Sequence, residues 1–162
     1  MSQQERLVCA RTYFELFDLP VRFTLERQLL ESRYLQLARA THPDLAATDT
    51  AAQMAAMQLS AKVNEAYAIL RDDLKRAEYI LRIRNQKPAE PSTQTLSRVF
   101  DLRESLSTNA NDHEAVRHTR EEASRWLDET MAHIALALDT PNAGTKAAEL
   151  VATARYLQKI IS

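Results

Sequence analysis

The chain has 162 residues, a net charge of −1 and an apolar share of 45%, enough to bury a core without disulfides or metals. Its single glycine, Gly144, excludes a P-loop, a G-x-G-x-x-G turn and the Asn-Gly or Asp-Gly turns of tight hairpins. Ala (25) and Leu (21) lead the composition, both are strong helix formers, and the expected class is all-α.

Tyr13, Phe14, Leu16, Phe17 and Leu19 read as a short aromatic-rich helix stopped by Pro20. A second helix is expected from about Leu25 to Ala40, with Thr24 as its N-cap. Leu30, Tyr34, Leu37, Ala38 and Thr41 fall on one of its faces, and Pro43 ends it. The loop His42 to Asp49 leads to a third helix, opened by the capping-box spacing Thr50-Ala51-Ala52-Gln53. Its apolar stripe is Ala52, Ala56, Leu59, Val63, Ala66, Tyr67 and Leu70. Two helices of about 25–30 Å joined by a short loop pack antiparallel. A fourth short helix spans about Asp72 to Arg84.

Asn85 to Ser92 contains Pro88 and Pro91 and few large apolar residues, so it reads as a linker. The expected division is therefore 1–84, a linker at 85–92, and 93–162. The last part reads as a three-helix bundle. Its first helix runs from about Thr93 to Ser107. The second runs from about Asp112 to Leu138, with Asn111 and Glu114 at capping-box spacing. The third starts between Pro141 and Lys146 and buries Ala147, Leu150, Val151, Ala154, Leu157 and Ile161.

Helical periodicity also marks apolar residues on the wrong face. At about 100° per residue, Val99, Leu102 and Leu106 form the seam of the Thr93 helix. Leu96 and Phe100 project elsewhere, beside Ser97, Asp101 and Glu104, and Tyr156 projects opposite the seam of the last helix. Two readings stay open for these residues: packing on the first half of the chain, or a surface patch that binds a protein.

His42-Pro43-Asp44 also reads in two ways. The tripeptide is an ordinary helix stop and turn, yet its place between two antiparallel helices leaves both polar groups free to meet a partner. An enzyme using His42 and Asp44 as an acid/base pair would need a walled pocket around them, and a short polar loop supplies little wall. His113, His118 and His133 read as solvated, Met54 and Met57 as packing residues, and Trp126 as bundle core. The single cysteine, Cys9, forms no intrachain disulfide and no zinc site, so no metal or cofactor is expected. There is no run of about 18 apolar residues and no bulk positive charge, so neither membrane nor nucleic acid is an expected partner. The N-terminus is polar, and the expected location is the cytoplasm.

Tyr13-Phe14-x-Leu16-Phe17-x-Leu19, Arg33-Tyr34-x-x-Leu37-x-Arg39, His42-Pro43-Asp44 and Val63-Asn64-x-Ala66-Tyr67-x-x-Leu70 together resemble a J-domain. The continuation Leu74-x-Arg76-Ala77-x-Tyr79-x-Leu81 is similar to the HscB family, J-domain co-chaperones of iron–sulfur cluster assembly. That resemblance implies a non-enzymatic protein with an N-terminal J-domain and a C-terminal three-helix bundle. It implies docking on a DnaK-type ATPase chaperone of the HscA kind through His42, Pro43 and Asp44, with Arg33 and Arg39 as basic contacts. These two arginines are six apart, about 120° around the helix, so at most one touches the chaperone. It further implies delivery of the scaffold IscU, bound by Leu96, Ser97, Phe100, Asp101, Glu104 and Tyr156. Serving a different client through the same patch is the alternative. Many J-domains carry a basic run where this chain has Leu35 and Gln36, which points to a dedicated chaperone partner rather than a general one.

Overall fold

The computed structural model describes residues 10–42 and 50–162. Among these the chain forms helices and no strand. Its backbone contacts divide it into two units, Met1–Arg76 and Ala77–Ser162.

The first unit contains α1 (Tyr13–Leu16), α2 (Arg27–Ala40), α3 (Thr50–Leu70) and the start of α4 (Asp73–Ile83). Thr12 opens α1, its hydroxyl accepting from the Glu15 N–H. The helix ends at Leu16, earlier than Pro20 suggested. Asp18 takes φ 54, and the Leu19 N–H returns to the Phe14 carbonyl at 2.9 Å. That is a Schellman-type stop, with aspartate in the left-handed position usually given to glycine. Phe14, Phe17, Leu30, Val63, Ala66 and Leu70 are buried in this unit. Helices α2 and α3 run antiparallel, for the residue pairings move in opposite senses. Arg27, at the start of α2, meets Asp73 just past the end of α3, while Tyr34, farther along α2, meets Asn64 and Tyr67 farther back in α3.

Two helix starts in this unit differ from those expected. Thr24 is not the N-cap of α2. The helix begins at Arg27, and Glu26 caps it without a side-chain bond. The reason is tertiary: Phe23 is buried and its carbonyl accepts from Arg76 Nε at 2.7 Å, which keeps the chain non-helical just ahead of α2. Thr50 is itself helical, so it does not cap α3.

The second unit contains the rest of α4, then α5 (Thr93–Thr108), α6 (His113–Asp139) and α7 (Gly144–Ile161). Ser92 caps α5 by accepting from the Thr95 N–H. Asp112, one residue after the expected Asn111, caps α6 by accepting from the N–H groups of Glu114 and Ala115. An aspartate at that place satisfies two orphan donors and adds negative charge at the positive end of the helix. Helices α6 and α7 share the most extensive packing, and α5 lies against both. Val99, Leu102, Ala123, Leu157 and Ile160 form a buried cluster where the three meet.

The segment after α4 is fastened within this unit. Asn85 takes φ 52, and the Gln86 N–H returns to the Leu81 carbonyl at 2.9 Å, a second stop of the α1 type. Arg84 donates to the Leu138 carbonyl at the end of α6 at 2.7 Å. Gln86 reaches Thr145 at the start of α7. A Cβ at Gly144 would meet the far end of the Gln86 side chain, which would have to swing aside.

Candidate functional site

In the first unit the end of α2 is fixed up to the His-Pro-Asp motif. Thr41 is buried, and both its N–H and its hydroxyl donate to the Leu37 carbonyl, at 2.8 and 2.9 Å. The next residue, His42, is exposed. Pro43 and Asp44 lie outside the described residues. The sequence brings the two arginines to one helix, but the structure gives them different surroundings. Arg33 reaches Asp18 across 3.5 Å, so it ties α2 to the turn after α1. Arg39, one turn before the motif, is exposed and has no ion-pair partner among the described residues.

Contacts of Tyr34, Arg71 and Arg76 hold this unit together. The Tyr34 and Tyr67 rings stack at 4.0 Å and 12°, and the Tyr34 hydroxyl donates to Asn64 Oδ1 at 3.2 Å. Such a pair adds about 0.5–1.5 kcal/mol beyond its buried area. The Arg71 guanidinium covers the Tyr67 ring at 5.6 Å. Arg76, only 6% exposed, donates to three groups: the Phe23 carbonyl, the Leu70 carbonyl and Asp73 Oδ1. It therefore joins the chain before α2, the last turn of α3 and the start of α4. Met54 and Met57 are not packing residues; they are 58% and 60% exposed on α3. They stand off the expected apolar stripe, whose Val63, Ala66 and Leu70 are the residues that are buried.

In the second unit α5 presents two opposed faces. Val99 and Leu102 are buried, while Leu96 is 36% and Phe100 67% exposed. Ser97, Asp101 and Glu104 are exposed on the same side as Leu96 and Phe100. The wrong-face residues of this helix thus form an accessible apolar centre flanked by two carboxylates. Arg103, also exposed, falls on this face by helical spacing, a cation that the apolar pattern did not signal.

Tyr156 corrects the expected geometry. It is half-buried and packs against the cluster of Val99, Leu102, Ala123, Leu157 and Ile160 instead of projecting opposite the seam. Helix α7 is covered by both α5 and α6, so its buried arc is wider than one stripe. Ala148, Thr153 and Ile160 are buried as well. Trp126 is only half-buried. It packs on the same cluster, and the Arg98 guanidinium of α5 lies over its ring at 4.2 Å while reaching Glu122. His113, His118 and His133 are exposed. Among the described residues no three His, Cys, Asp or Glu side chains gather as metal ligands would, and no helix is long and apolar enough to cross a membrane.

Comparison with known proteins places this geometry. A family model described as the DnaJ domain matches residues 12–79, a span that includes His42, Pro43 and Asp44. The co-chaperone protein HscB homolog of Bordetella avium is 30% identical over 159 residues, covering 94% of this chain and 95% of that protein. Among solved structures, the chaperone HscB from Vibrio cholerae superposes with a TM-score of 0.81 at 27% identity, over 93% of both chains. The human co-chaperone protein HscB superposes with a TM-score of 0.86 at 25% identity, over 94% of this chain and 79% of that one.

Proposed function

We infer the function of this chain from its family: it belongs to the HscB family of J-domain co-chaperones, and its two candidate surfaces make it an adaptor in iron–sulfur cluster assembly. Residues 1–84 dock on a DnaK-type ATPase chaperone of the HscA kind, and His42, Pro43 and Asp44 stimulate its ATP hydrolysis. Arg39 steers the encounter, while Arg33 positions the turn it grips through Asp18. Beyond the segment 85–92, residues 93–162 carry a scaffold of the IscU kind on Leu96, Ser97, Phe100, Asp101 and Glu104, with Tyr156 at the edge.

One observation supports the client half above the rest: Phe100, a large aromatic with 67% of its surface in water, stands on a face whose opposite side fills the bundle core. An apolar centre with a polar rim is the anatomy of a protein-docking site. Truncating such a centre typically costs 2 kcal/mol or more, about 30-fold in affinity. The test joins scaffold titration to single-turnover ATPase assays of the chaperone. The double variant Leu96→Ala/Phe100→Ala is expected to lose scaffold binding by about 30-fold or more while stimulating the chaperone normally. Asp44→Asn is expected to do the reverse. Unchanged scaffold affinity in the first, or normal stimulation by the second, refutes the corresponding half of the proposal.

A further inference from the structure

A cavity of about 490 Å³ opens in the second unit between the end of α4, the segment after it and the first half of α7. It shares no lining residue with the α5 face. Its floor is apolar: Leu81, Ala148 and Val151 are buried, and Ala152 lines it beside them. The space exists because α7 contributes alanines at two of these places. Pro88 and Ala89 close one side. The rim carries Arg82, Lys87 and Arg155 against a single carboxylate, Glu78. That carboxylate is already engaged: it is hydrogen-bonded to Arg155, and the bond and its charge hold the guanidinium above its ordinary pKa. Arg82 lies over the Tyr79 ring at 5.0 Å, and Lys87 has no counter-ion among the described residues.

We propose that this cavity binds a small amphipathic anion, an aliphatic chain ending in a carboxylate. The volume falls within the range of about 300–1,000 Å³ usual for small-molecule sites. The walls are built before any ligand arrives, because Arg84 is bonded to the Leu138 carbonyl and Gln86 to Thr145. An aliphatic chain covers Leu81 and Val151, and its carboxylate meets Lys87 and Arg82 at the rim. A cation would meet Arg82 and Lys87 there, the Glu78 carboxylate being taken up by Arg155. A peptide strand finds little to pair with, since α4 and α7 spend their backbone groups within their own helices and Pro88 has no N–H.

The test uses the full chain, labelled with nitrogen-15 and titrated with octanoate, octanol and octylammonium. Octanoate is expected to shift the amides of residues 81–89 and 148–155. It should bind about fivefold or more tightly than the other two, the discrimination that a half-exposed charged rim supplies, and more weakly as salt is raised. Lys87→Glu should weaken octanoate about fivefold or more, and Ala152→Leu, which fills the cavity without changing charge, should abolish its binding. Circular dichroism establishes that both variants are folded. Equal affinity for octanoate and octylammonium, undiminished binding by folded Ala152→Leu, shifts confined to other residues, or displacement of octanoate by an acidic hexapeptide at lower concentration overturns the proposal.

Discussion

Replacing Arg76 with methionine keeps the buried stem and removes every donor. Arg76 Nε and Nη1 donate to the Phe23 and Leu70 carbonyls at 2.7 and 2.6 Å. The Leu70 carbonyl belongs to the last turn of α3, where the helix supplies no partner of its own. Leaving these two carbonyls unsatisfied costs about 1–3 kcal/mol each. The third bond, to Asp73, counts for less. That carboxylate is 44% exposed, so its pairing resembles a surface ion pair of about 1 kcal/mol or below. The guanidinium also lies over the Phe23 ring at 4.9 Å, adding about 0.5–1 kcal/mol. Methionine regains part of this because no charge has to be desolvated. The expected net loss is about 3 kcal/mol. With a urea slope of about 1.5–2 kcal/mol/M, the midpoint of the first unit falls by about 1.5–2 M. Hydrogen exchange of α2 and α3 amides measured against urea reads this directly. Arg76→Lys retains the charge without the fork and should recover less than half of the loss. If protection of α2 and α3 falls by less than about 1 kcal/mol in Arg76→Met, the three-way clamp is not what holds this unit together.

Other expectations follow from the same comparison of magnitudes. Phe100→Ala should cost less than about 1 kcal/mol of stability, whereas Leu157→Ala, at a fully buried position, should cost about 2–5 kcal/mol; calorimetry of the two variants separates surface from core. Gly144→Ala displaces Gln86 from Thr145 but gains about 0.5–1 kcal/mol of helix propensity, so stability should stay within about 0.5 kcal/mol. In a Gln86→Ala background the same change should stabilise by about 0.5–1 kcal/mol, and chemical denaturation of the four-member cycle measures the difference. Arg39→Ala should slow association with the chaperone and flatten its salt dependence, with Arg33→Ala doing less to the rate, because exposed charges act on encounter and are screened. Stopped-flow association rates at low and physiological salt check this.

The helices themselves were legible because their apolar residues recur at helical spacing and the chain almost lacks glycine. Their ends were less so. Thr24 and Asn111 are good caps by residue type, yet the Phe23–Arg76 bond and the neighbouring Asp112 decided the starts. Leu96 and Phe100 were visible as misplaced apolar residues because α5 buries one narrow side. Tyr156 was not, because α7 is covered by two helices and a single-stripe rule fails there. Met54 and Met57 lie off the stripe of Val63, Ala66 and Leu70 that spacing marks, so their exposure agrees with the pattern and only the expectation from residue type fails. The cavity beside α7 was invisible in sequence. Its walls come from stretches about sixty residues apart, and the side chains that fasten them, Arg84 and Gln86, lie at the edge of a proline-containing stretch that reads as a linker.

The stacking of Arg98 on Trp126 has a practical consequence. Trp126 is the only tryptophan in the chain, and the cation above it belongs to α5, two residues beyond Leu96. Two residues along a helix project to opposite sides, so a partner that seats on Leu96 and Phe100 leaves the Arg98–Trp126 stack and the Arg98–Glu122 pair in place. The indole's emission is sensitive to a charge at this distance. The packing of α5 on α6 therefore carries an intrinsic fluorophore, and separation of these two helices on unfolding can be followed in the unlabelled protein by the colour and yield of one side chain.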